Sequence, residues 1–144
     1  MKDNKKENVK YEQSAMAVVL FDGKILCTVE DIYGKKVLSL PKGHVEVGET
    51  VLEAAIRECF EETDVILTAN DAVEQLEPYL YSFTTPQGQL ICKTLYPVLF
   101  YLSKKQAPLA KETRICEVMF MDMADFLRKC SYDNIRNLVK KILL

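Results

Sequence analysis

The sequence predicts an α/β fold in a single domain, with helices covering the faces of a mixed sheet. Extended apolar runs fall both before and after one central segment whose apolar residues recur at helical spacing, and two more segments of helical spacing close the chain. With 144 residues, 49% of them hydrophobic, the chain can build one core and has little room for a second. It contains no internal repeat and no low-complexity linker.

Residues 1–11 are rich in lysine and nearly devoid of apolar side chains, which predicts a flexible tail ahead of one domain spanning residues 12–144. Ala15 to Phe21 is a compact apolar run, and Asp22-Gly23 signals a hairpin into a second run, Ile25 to Val29. Val37 to Leu40 is a short strand ended by Pro41, after which Lys42-Gly43-His44 forms a loop leading to the central helix. Beyond that helix, Val65 to Leu67 extends briefly and Ala69-Asn70-Asp71 turns. Leu76 to Thr84 and Leu90 to Leu102 are longer extended runs whose connection, Thr85 to Gln89, carries Pro86 and Gly88 and so predicts an antiparallel pair. Pro97 lacks a ladder donor and predicts an edge or a bulge. Ile115 to Met121 is a further strand. Asp122 to Lys129 and Asp133 to Leu143 are helical, with Asp122 and Asp133 as expected caps. In the last segment Ile135, Leu138, Val139 and Ile142 share one face.

Composition narrows the function. A net charge of −2 and the absence of a long basic run argue against a nucleic-acid scaffold held through phosphates. A polyanionic small molecule would need local positive charge from metals and a few lysines. The five cysteines, Cys27, Cys59, Cys92, Cys116 and Cys130, are odd in number and contain no CxxC pair, and they read as buried free thiols. The first residues lack the apolar core of a signal peptide, and no stretch approaches the ~20 apolar residues of a membrane span. These features predict a cytoplasmic, reducing location.

The central helix carries the chemistry. Thr50 followed by Glu53 fits a capping box, in which each side chain satisfies a free backbone N–H of the first turn. At about 100° per residue, Glu58, Glu61 and Glu62 project within an arc of roughly 100°, while Leu52, Ala55, Ile56, Cys59 and Phe60 form a separate apolar arc. Glutamates on a helix are most often a solvated face. Like charges three and four apart also repel, so such a cluster weakens the helix unless a cation sits among them.

Gly43, Glu49, Arg57, Glu58, Glu61 and Glu62 fit the pattern G-x5-E-x7-R-E-U-x-E-E-x-G-U, where U is a bulky apolar residue and Cys59 and Val65 fill the U positions. The segment therefore resembles the Nudix family, with one departure: Asp64 stands where that pattern has glycine, and Asp adopts a left-handed conformation less readily. The resemblance extends more weakly from about Ser14 to the end and implies an α/β/α sandwich around a mixed sheet. It also implies hydrolysis of a pyrophosphate linkage with Mg²⁺, or Mn²⁺ in its place. Glu58 and Glu62 would be the principal ligands, joined by the Gly43 carbonyl, with Glu61 either a further ligand or the base orienting the attacking water. Arg57 and Glu49 would form an internal pair bracing loop against helix. Relatives often add a late acidic group, for which Glu112 and Glu117 are the nearest candidates; Glu112 is the one assigned to the metal.

The loop Pro41-Lys42-Gly43-His44-Val45-Glu46, followed by Gly48-Glu49, is similar to that of dinucleoside polyphosphate hydrolases, above all the diadenosine tetraphosphate type, with diphosphoinositol-phosphate hydrolases as near relatives. That group carries a tyrosine beyond the box that stacks on adenine, and Tyr81, with Tyr79 as second candidate, occupies the corresponding place; strand packing is the alternative for both. Lys42 and Lys93 are candidate phosphate contacts. His44, the only histidine, is assigned a hydrogen-bonding role in its loop. The expected function is Mg²⁺-dependent hydrolysis of a nucleoside polyphosphate, with a dinucleoside polyphosphate as the expected form, by a monomer or homodimer acting on a small molecule. A nucleoside-triphosphate pyrophosphatase and a diphosphoinositol-phosphate hydrolase are the enzymatic alternatives. A non-catalytic nucleotide-binding regulatory module is the alternative of another class, and retention of the glutamates counts against it.

Overall fold

A computed structural model describes residues 8–143. An eight-stranded mixed sheet holds the order β3-β2-β1-β7-β5, where β1 is Val9–Phe21, β2 Lys24–Ile32, β3 Lys35–Ser39, β5 Ala72–Gln75 and β7 Leu90–Tyr101. The short β4, Lys42–His44, pairs with β1; β6, Tyr79–Thr84, pairs with β7; and β8, Ile115–Asp122, pairs with β2. Helix α1, Val51–Thr63, covers one face, and α2, Met123–Lys129, with α3, Asp133–Ile142, covers the other. This is the predicted α/β/α arrangement.

Period-two alternation in β1 builds both cores at once. Ala15, Ala17 and Val19 face α1 and pack with Ala54, Ala55, Cys59 and Phe100, whereas Met16 and Val18 face the other layer with Phe126, Ile135 and Val139. Small residues on the α1 side let that helix lie close to the sheet. In α3, Ile135 and Val139 are buried, and Leu138 and Ile142 pack around them as the spacing predicts.

The central pair is parallel, β1 against β7, from Val9 opposite Leu90 to Leu20 opposite Tyr101. Backbone pairing alone draws residues 9–11 into the sheet, so order begins before the expected boundary at residue 12; of the expected tail, residues 1–7 lie outside the described residues. Asp22 and Gly23 both have positive φ, 51° and 76°, as a two-residue hairpin requires. Tyr79–Thr84 pairs antiparallel with β7 as expected, but a separate short strand, β5, precedes it. Val65 to Leu67 forms no strand.

Pro97 lies inside the central strand β7, opposite Met16, and not on an edge. Its carbonyl accepts from Leu76 N at 2.9 Å, so its missing donor faces the break where β5 ends and β6 has yet to begin. The other corrections are local. Lys42–His44 is a strand, not a loop. Asp122 occupies the α2 cap without a side-chain bond, and Tyr132, not Asp133, precedes α3, with Asp133 pairing to Arg136 instead. Cys27, Cys59 and Cys130 are buried thiols, while Cys92 is partly covered and Cys116 is exposed. Among the described residues no helix is long and apolar enough to cross a membrane.

Candidate active site

β4 sets the geometry. Ser14, Ala15 and Met16 of β1 pair with His44, Gly43 and Lys42, and Val45 N donates to the Gln13 carbonyl at 3.0 Å. The loop preceding α1 is thereby fixed to the middle of the sheet, directly beside the helix. At the α1 N-terminus Glu53 N donates to Thr50 Oγ1 at 3.1 Å and Thr50 N donates to Glu53 Oε1 at 2.9 Å, which completes the capping box.

Arg57 ties loop to helix. Its Nε and Nη2 donate to the two oxygens of Glu49 at 2.6 and 2.9 Å, and Nη2 also donates to the His44 carbonyl at 2.9 Å. This fork holds the Glu49 carboxyl below its ordinary range, because the guanidinium bonds favour the charged form. Arg57 Nη1 then reaches both Glu58 Oε2 at 2.9 Å and Glu61 Oε1 at 3.1 Å. The brace is therefore also part of the acidic cluster.

The three glutamates differ sharply in exposure. Glu62 is only 2% exposed, so its side of α1 is covered and not solvated. Burial pushes its carboxyl up to about 7 against the opposing pull of Arg114 and Lys42. Burial likewise raises Glu58, countered by Arg57. Glu61 is the most open of the three. The apolar arc also differs from expectation, since Phe60 is 40% exposed.

Gly43 is demanded by close approach. A Cβ there would lie 2.0 Å from Glu58 Cδ, so only glycine lets that carboxylate lie against the β4 backbone. Glu62 Oε1 accepts from Lys42 N at 3.3 Å, completing the contact between β4 and the helix.

Arg114, which no sequence signal singled out, enters from the segment before β8. It donates to Glu62 Oε2 at 2.7 Å, to Glu30 Oε2 at 2.7 Å and to Glu112 Oε1 at 3.0 Å. A cavity of about 800 Å³ is bordered by Gly43, Glu58, Glu61, Lys111, Glu112 and Arg114, so Glu112 stands with the cluster. Glu117 is exposed on β8 opposite Val29 and does not line it.

Among the described residues, no group of three or more His, Cys, Asp or Glu side chains is placed to hold a metal ion. The carboxylates nonetheless suit a hard divalent cation in chemistry. Arg57 Nη1 is shared between Glu58 and Glu61, which demonstrates that positive charge fits between them.

Beside this cluster a second cavity, about 570 Å³, is lined by Lys42, Tyr79, Tyr81, Phe83, Lys93 and Tyr132 among others. Tyr79, Tyr81 and Phe83 alternate along β6 onto one face, with successive ring centroids 6.2 Å apart. Lys42 Nζ lies 5.7 Å from the Tyr132 ring centroid, and burial pulls its ammonium below the ordinary range. Lys93 pairs with Glu12 at 3.5 Å, which offsets the charge assigned to phosphate contact. The same Glu12 lies 3.4 Å from exposed His44. Burial raises the Tyr79 hydroxyl, which has no hydrogen-bond partner among the described residues. Phe83 follows Tyr81 at the same two-residue period and was visible in the sequence; Tyr132 arrives from the far end of the chain and had no local signal.

The NUDIX domain profile matches residues 11–142. A 48-residue stretch is 48% identical to Phosphatase NudJ of Escherichia coli strain K12, covering 33% of this chain and 31% of the relative. The same match is found in Phosphatase NudJ of Shigella flexneri, so the chain matches about a third of the length of these curated relatives. A Caenorhabditis elegans Ap4A hydrolase binary complex superposes with a TM-score of 0.66 at 17% identity over 91% of this chain and 94% of that one. The NUDIX domain of Shewanella oneidensis NrtR, complexed with ADP ribose, gives 0.69 at 19% identity over 92% and 86%. A bifunctional NMN adenylyltransferase/ADP ribose pyrophosphatase of Francisella tularensis, complexed with AMP and a Mn ion, gives 0.71 at 20% identity over 92% and 41%. At these identities the superpositions speak to the fold, while the profile spans nearly the whole sequence, and the chain belongs to the NUDIX domain family.

Proposed function

We propose that the protein hydrolyses a phosphoanhydride bond in a nucleoside polyphosphate, with a dinucleoside polyphosphate as the preferred form. The observation that carries this reading is the adjacency of two chemistries. Lys42 lines the aromatic cavity through its side chain, while its backbone N–H binds Glu62 of the acidic cluster. A base stacked on Tyr81 or Tyr79 would direct its phosphates past Lys42 toward α1. The ADP-ribose and AMP complexes of similarly folded proteins, and an Ap4A hydrolase of the same fold, favour a nucleotide ligand.

Glu58 and Glu62 are the residues we assign to a divalent cation, Mg²⁺ or Mn²⁺, with Glu61, Glu112 and the Gly43 carbonyl at its margin. Such a cation supplies charge neutralisation and Lewis acidity at the phosphate. Glu61, open to the cavity, either joins that shell or orients the attacking water. Arg57 and Glu49 hold the cluster in place. Burial disfavours the Lys42 ammonium, and an anion entering beside it would favour the charged form.

The test is incubation with Mg²⁺ and a panel of dinucleoside polyphosphates, nucleoside triphosphates, sugar nucleotides and diphosphoinositol phosphates, followed by product identification. Preferred turnover of a dinucleoside polyphosphate is expected. Preference for a triphosphate or an inositol pyrophosphate would redirect the substrate assignment, and binding without turnover of any compound would mark a regulatory module.

A further inference from the structure

Asp64 is the chain's departure from the family pattern, and it sits where two local effects disfavour it. It is the α1 C-cap in the left-handed conformation, φ 64°, which suits glycine better. It also places a negative charge at the negative end of a helix whose last turn contains no basic residue. Its partner comes from elsewhere in the chain. Lys111 Nζ lies 3.3 Å from Asp64 Oδ1 and 3.3 Å from the centroid of the Phe60 ring. Phe60 and Asp64 are one turn apart, so a single ammonium caps both.

The contact belongs to a longer attachment. Gln106 forms two hydrogen bonds with the Ile66 backbone, each 2.8 Å, and Leu109 N donates to the Thr63 carbonyl at 2.8 Å. The polar connection between β7 and β8 is thus laid along the end of α1 before it delivers Lys111, Glu112 and Arg114 to the cavity beside Glu58 and Glu61.

We infer that Asp64 is a positioning residue: with Phe60 it clasps Lys111, and the clasp fixes the segment carrying Glu112 and Arg114 against the acidic cluster. The inference rests on the reading of that cluster as a cation site. It accounts for the exposed Phe60 and for an aspartate in a glycine position.

The test measures amide hydrogen exchange at Ala110 to Arg114, Mn²⁺ affinity by electron paramagnetic resonance and thermal midpoint in the full chain. Asp64→Gly removes the carboxylate while easing the backbone. It should leave the midpoint unchanged or raised, speed exchange in that segment about fivefold and weaken Mn²⁺ binding by a similar factor. Lys111→Ala should reproduce the exchange and affinity changes, and the double variant should add little to either single one. Unchanged exchange in Asp64→Gly, or faster exchange with Mn²⁺ affinity intact, overturns the inference. Failure of the cation reading has a separate signature, a wild type whose Mn²⁺ binding is indifferent to Glu58→Gln; the exchange rates then decide the clasp alone.

Discussion

Arg114 donates to Glu62 at 2.7 Å, joining the segment before β8 to a carboxylate that is almost wholly buried in α1. Removing the arginine leaves that carboxylate with the Lys42 backbone as its remaining hydrogen-bond donor. Arg114→Ala should therefore cost about 2 kcal/mol of stability at pH 8, below the full value for a deeply buried pair because the guanidinium is half exposed. Urea denaturation reads the change. The loss should shrink at pH 5, where Glu62 is protonated.

The same carboxyl sets a pH dependence. Its folded-state value of about 7 lies above its ordinary 4.5. Between those values the folded chain holds a proton that the unfolded chain releases, so the stabilising contribution is complete below about 4.5 and is lost as pH rises through about 7. Metal-free protein should lose on the order of 3 kcal/mol from this group across that window. Glu62→Gln should flatten that part of the stability profile, as measured by denaturation in the presence of a chelator.

Gly43→Ala tests the close approach of β4 to Glu58. The clash falls on the end of a flexible side chain, so the fold should survive with a loss of about 1 kcal/mol. Displacement of the carboxylate should lower hydrolysis by about 10- to 100-fold. Steady-state kinetics beside a thermal melt separates the two effects.

The tyrosines of β6 should behave differently. Tyr81→Ala should weaken nucleotide binding about tenfold or more through loss of ring stacking, measurable by calorimetry. Tyr79→Phe removes a buried hydroxyl that has no partner among the described residues, and should stabilise the protein by about 1 kcal/mol in a thermal melt.

These expectations also mark what was legible in the sequence. The capping box, the hairpin at Asp22-Gly23 and the apolar face of α3 depend on neighbours within a few residues, so local spacing reveals them. The start of β1 at Val9 was hidden, because only its pairing with Leu90 in β7 makes that segment a strand. Helical spacing places Glu62 on the acidic face of α1 but gives direction and not depth, so its burial beneath β4 and Arg114 was hidden. Arg114, Tyr132 and Lys111 lie far along the chain from α1 and β6, and only tertiary packing brings them to the two cavities. Pro97 misled because a missing donor normally means an edge, whereas here it faces a break between strands.

In the proposed function, the α1 carboxylates make this chain a metal-dependent phosphoanhydride hydrolase. The most direct measurement compares wild type with Glu62→Gln for Mg²⁺-dependent cleavage of diadenosine tetraphosphate, with products resolved by ion-exchange chromatography. Cleavage by the wild type that ceases when Mg²⁺ is chelated, and a loss of about 100-fold or more in the variant, is the predicted result. Equal cleavage by the two proteins, or cleavage indifferent to Mg²⁺, would contradict it.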